Sequence, residues 1–171
     1  MGTFMASVAF RHPNDENWIL IKNKIKELYI NIDGLVSNLD EECSGYAIVS
    51  PFGDMGSFLA EIPAEISRLT NDFVVFTTCV DSDFSMMELY HNGSLLEKCC
   101  IGEIYEEFAD IYEGNTPTPS LWEPMLLDQS LKSELDKALL ESGMFVEDQL
   151  RTLSELTGIP IFSDKMVFGA E

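Results

Sequence analysis

Phe73-Val-Val-Phe-Thr-Thr-Cys-Val80, then Ser85-Met-Met-Glu-Leu-Tyr90, His91-Asn92-Gly93 and Ser94-Leu-Leu-Glu-Lys-Cys-Cys-Ile101, is the stretch whose reading decides the fold. Phe73–Val80 is dense in β-branched and aromatic residues, which suit a pleated, half-buried surface, and predicts a strand. Asn92-Gly93 offers two residues that tolerate positive φ, the backbone that a tight hairpin turn requires. Ser85–Tyr90 and Ser94–Ile101 therefore read as paired strands, and the three segments form an antiparallel meander.

Toward the N-terminus, Thr3–Phe10 alternates, with Phe4, Ala6, Val8 and Phe10 on one side, and predicts a strand. Asn14 is a suitable helix N-cap, followed by Asp15 and Glu16 where the helix dipole favours acids. Trp18, Ile21, Ile25, Leu28, Tyr29 and Ile32 then recur at helical spacing, so a helix over 14–30 should pack on the sheet. Gly45–Ser50 is a short apolar run stopped by Pro51 and reads as a core strand. Met55 to Leu69 carries helical spacing at Phe58, Leu59, Ile62, Ile66 and Leu69, and Pro63 places a turn before it and the helix start near itself, since proline fits the first turn and not the interior.

Toward the C-terminus, Ile104, Tyr105, Phe108, Ile111 and Tyr112 are spaced as a helix, and Glu113–Pro124 reads as a Pro-rich loop. Leu131, Leu135, Leu139 and Leu140 form a helix behind the cap Asp128, closed by Gly143. Leu150, Leu153 and Leu156 form a last helix ending at Gly158. The chain reads as one α+β domain over residues 1–171: a mainly antiparallel sheet, packed helices and a helical C-terminal third.

Composition narrows the function. The 171 residues carry 30 acidic and 10 basic side chains, a formal net charge of -20. Such a field repels nucleic acid and anionic membrane, and it accelerates the capture of cationic proteins. The charge is uneven. Residues 1–60 hold eight acids and four bases, residues 61–120 twelve and two, and residues 121–171 ten and four. Between Asp81 and Glu113, nine acids face only Lys98.

That stretch supplies the candidate partner-binding carboxylates of Asp81, Asp83, Glu88, Glu97, Glu103, Glu106, Glu107 and Asp110, with Tyr90 within it and Trp122 in the Pro-rich loop beyond as candidate aromatic anchors. No apolar run is long enough to span a bilayer. The N-terminus lacks the basic region of a secretory signal, so a cytoplasmic protein is expected.

Catalytic motifs are weak. Cysteines 43, 79, 99 and 100 form no Cys-x-x-Cys pair, and His12 and His91 fall at no zinc spacing, so neither a disulfide framework nor a metal is expected. Cys99 and Cys100 are adjacent in a strand and point to opposite faces, which makes at least one of them core. There is no Gly-x-Ser-x-Gly, and the Gly53–Gly56 region lacks the lysine of a phosphate cradle. Asp81-Ser82-Asp83 is the one compact polar group. With Glu88 it could hold a divalent cation, which leaves a metal-dependent enzyme as the alternative function; the competing reading is a turn or a partner contact.

The stretch Gly45–Phe58, then Ile66-Ser67-Arg68-Leu69, Phe73–Asp83 and Glu88–Gly93, resembles small bacterial proteins with this order of elements, some of which look like immunity proteins of polymorphic or contact-dependent growth-inhibition toxin systems. The resemblance covers residues 45–112 and brings no catalytic residues with it. It implies a protein that is not an enzyme, needs no cofactor, and neutralises a cognate basic toxin domain by covering its active-site surface. It points to a nuclease toxin, with one that cleaves tRNA slightly favoured.

Overall fold

The computed structural model describes residues 4–28, 36–38, 45–50, 61–106, 115–141 and 145–162. In chain order the elements are β1 (Phe4–Arg11), α1 (Asp15–Leu28), β2 (Val36–Asn38), β3 (Gly45–Ser50), α2 (Glu61–Thr70), β4 (Phe73–Val80), β5 (Phe84–His91), β6 (Ser94–Gly102), α3 (Pro119–Trp122), α4 (Lys132–Leu140) and α5 (Val146–Thr157). Short 3₁₀ turns at Glu123–Met125 and Gln129–Leu131 link α3 to α4.

The meander forms as its residues predict. Val75 pairs with Leu89 and Met87 with Cys99, all antiparallel, and the Asn92-Gly93 turn has φ of 50° and 80°. The sheet continues on the other side of β4 and runs β2-β3-β1-β4-β5-β6, with every pairing antiparallel. The fold class is α+β.

The sheet is covered on both faces. On one, Ala6, Val8, Phe10 and Val74 pack with Ile21 and Ile25 of α1 and Ile62 and Ile66 of α2. Ile21 and Ile25 are almost wholly buried, and each such side chain contributes roughly 1.5–3 kcal/mol through removal from water. On the other face, Met5, Ala9, Val75, Leu89 and Cys99 meet Trp122, Leu135, Leu139, Leu150, Leu153 and Ile161. Strands covered on both faces read as near-continuous apolar runs, which explains the composition of Phe73–Val80.

Local signals set the element ends. Asn14 caps α1, its Oδ1 accepting from the Asn17 N–H at 2.8 Å. Pro63 is the third residue of α2, inside the first turn, where its missing N–H leaves no bond unmade. Asp128 accepts from the Ser130 N–H and caps the 3₁₀ turn that leads into α4. Gly158 ends α5 at φ 68° in the left-handed region.

Two polar side chains, one half-buried and one buried, hold the C-terminal layer in place. Arg11 donates to the Thr157 carbonyl from Nε at 3.1 Å and to the Met125 carbonyl at 2.5 Å, and pairs with Asp72 at 3.0 Å. Gln149, 3% exposed, donates from Nε2 to the carbonyls of Ala138 and Glu141, satisfying acceptors at the end of α4.

The structure departs from the sequence reading in three places. β2 is a further strand, only three residues long and too short to show alternation. Glu103–Tyr105 are not helical, so the first residues of the helix expected from Ile104 leave the sheet as irregular chain. Pro119–Trp122 forms a helical turn inside the expected loop, with proline at its first position. Residues 29–32, 107–112 and Gly143, on which other expectations fell, lie outside the described residues.

Candidate functional site

Three segments meet where β4 hands over to β5. The β4–β5 turn closes with the Asp83 N–H donating to the Val80 carbonyl at 3.1 Å, and its central residues Asp81 and Ser82 have φ of 50° and 64°. Positive φ at both central positions gives the turn the twist that a hairpin needs. The exit from β6 is tied to this turn by the Glu103 N–H, which donates to the Asp83 carbonyl at 3.0 Å. The start of α5 is tied to it by the Ser82 hydroxyl, which donates to the Glu147 carboxylate. Gly102 lies between them. At φ +85° it leaves no room for a side chain, since a Cβ would come 2.1 Å from the Asp83 carbonyl oxygen and 2.6 Å from Val146 Cγ2.

Among the described residues, this convergence gathers the carboxylates of Asp81, Asp83, Glu103 and Glu147 at one corner, with Glu106 three positions along the chain from Glu103. Asp81, Glu103 and Glu106 are exposed, and Asp83 and Glu147 are half-buried. Among the described residues, no lysine or arginine forms an ion pair with Asp81, Asp83, Glu103 or Glu106. Two aromatic rings stand exposed there, Tyr105 at 48% and Phe145 at 73%. The negative charge of Asp83 raises the Tyr105 hydroxyl above the usual tyrosine range. The hydroxyl's hydrogen bond to the same carboxylate adds to this, as do the charges of Glu103 and Asp81.

Four residues expected at a partner surface are used inside the fold instead. Trp122 is fully buried and donates its indole N–H to Glu97 at 2.8 Å, so it anchors the C-terminal layer and is no interface anchor. The other Glu97 oxygen accepts from the Thr118 N–H at 2.8 Å, which commits that carboxylate to internal bonds. Tyr90 is 7% exposed and donates to Glu88 at 2.5 Å; burial raises its hydroxyl above the tyrosine range, and Glu88 adds to the effect. Glu88 also faces Lys98 at 3.8 Å. Glu107 and Asp110 lie outside the described residues.

Asp81, Asp83 and Glu88 do not converge as a metal site would require. Glu88 lies five positions along the chain from Asp83, roughly 16 Å in extended strand, and is turned to Tyr90 and Lys98. Among the described residues, no group of three or more His, Cys, Asp or Glu is placed to hold a metal ion. Cys43 lies outside the described residues, and the described thiols are held in the protonated form by burial. Burial pushes Cys79 up to about 12, with the nearby Glu147 charge adding, and raises Cys99 well above the ordinary thiol range. Cys99 is buried and Cys100 half-exposed, as their opposite faces require.

No family model matches the chain, and neither a curated protein nor a solved structure matches it. Among the described residues, no helix is long and apolar enough to cross a membrane. Sequence reasoning missed Tyr105, Phe145 and Glu147. Tyr105 falls within an apparent helical stripe, and the other two lie about 60 residues from the turn they approach.

Proposed function

We propose that this chain is a binding protein of the immunity type, cytoplasmic and not an enzyme. It captures a cognate basic toxin domain by laying the acidic corner over the toxin's active-site surface. The toxin is a nuclease, with a tRNA-cleaving enzyme slightly favoured. The observation that carries this reading is the corner itself: the carboxylates of Asp81, Asp83, Glu103 and Glu147 from three chain segments, with Tyr105 and Phe145 exposed beside them. A nuclease cleft must be positive to hold phosphates. Fixed carboxylates match that charge, and exposed aromatic rings supply the desolvated contact that holds an interface together.

The chain's field of -20 steers such an encounter. Direct nucleic-acid or anionic-membrane binding does not fit that field. The interface needs no cofactor.

Co-expression with the product of the adjacent reading frame tests the proposal. The expected result is a stable complex in which the toxin's nuclease activity is lost. A neighbour that is neither bound nor inhibited would overturn it.

A further inference from the structure

We propose that an internal water molecule bridges the hydroxyls of Ser7 and Thr77, between the sheet and the C-terminal layer. Both residues are fully buried, and neither hydroxyl has a hydrogen-bond partner among the described residues. Ser7 and Thr77 are direct partners across β1 and β4, which puts their Cβ atoms about 4.5–5.5 Å apart. Both sit on the face shared by Met5, Ala9, Val75 and Cys79, the face that the C-terminal layer covers.

The side chains beside them are apolar, among them Met5, Val75 and Met87. Ala9 follows Ser7 on that face and is paired with Ala47. The two hydroxyls are polar groups buried on an otherwise apolar face. Each hydroxyl offers one donor and two acceptor positions, so a single water can donate to one oxygen and accept from the other. Buried polar groups without a protein partner are where internal waters bind.

A crystal structure of the unmodified chain, at a resolution that orders internal waters, tests this. One water within hydrogen-bond distance of both Ser7 Oγ and Thr77 Oγ1 is expected. No water there, with the hydroxyls bonded to each other or left bare, would overturn the proposal. Thr77→Val keeps the shape and removes the hydroxyl. A melting temperature lowered by a few degrees is expected, since the bridged hydroxyl contributes to stability. An unchanged or raised melting temperature would show a bare hydroxyl and overturn the proposal.

Discussion

Glu97 accepts the indole N–H of Trp122 at 2.8 Å, joining the edge strand β6 to the helical turn that opens the C-terminal layer. Hydrogen bonds to a charged acceptor are stronger than neutral ones, and this carboxylate accepts two, from Trp122 and from the Thr118 backbone. Glu97→Ala would leave the buried indole N–H without a partner, so a loss of about 2–3 kcal/mol is expected. Urea unfolding checks this: the midpoint should fall with the slope unchanged.

Arg11 joins the same two layers from the interior strand β1. Arg11→Ala removes its bonds to the carbonyls of Thr157 and Met125 and its pairing with Asp72, at an expected cost of about 2–4 kcal/mol. Lysine cannot reproduce the fork that serves both carbonyls, so Arg11→Lys should recover only part of the loss in the same unfolding measurement.

The sheet and its two covering layers were legible because each strand carries its own signal: β-branched runs, an Asn-Gly turn, and apolar spacing on the helix that Asn14 caps. The site was less legible, because charge density along a chain does not say where a side chain points. Glu88 and Glu97 belong to the same acidic run as Glu103, yet strand geometry turns the first two toward Tyr90 and Trp122 and leaves the third in solvent. Glu147 joins the corner through a contact with Ser82 across 65 residues, which no local pattern encodes.

Gly102 holds that corner together, and Gly102→Ala tests how tightly. A Cβ would strike backbone at Asp83 and Phe84 in a conformation that L residues rarely adopt, so a loss of about 3 kcal/mol or more is expected. Thermal melting should show the drop, and hydrogen exchange should show amide protection at Asp83 and Glu103 falling first.

Tyr105 reports the corner's field directly. Its raised pKa means that the folded chain keeps the phenolic proton at pH values where the unfolded chain has lost it, so this contribution is fully present below pH about 10 and declines as pH rises beyond it. Asp83→Asn removes the largest cause, and the Tyr105 midpoint, followed by NMR of the ring carbon, should move down toward the ordinary value. An unmoved midpoint would separate Tyr105 from Asp83.

Association kinetics with the toxin encoded beside this chain test the central claim most directly. Asp81→Asn, which keeps a residue that tolerates the turn's positive φ, with Glu103→Lys and Glu106→Lys, alters three exposed carboxylates and no internal bond of the fold, so the melting temperature should hold. At low salt the triple variant should associate about tenfold more slowly or worse, and added salt should narrow the difference, because exposed charges are screened beyond about 8 Å at physiological ionic strength. An association rate equal to the parent's at every salt concentration would contradict the account and place the interface away from the corner.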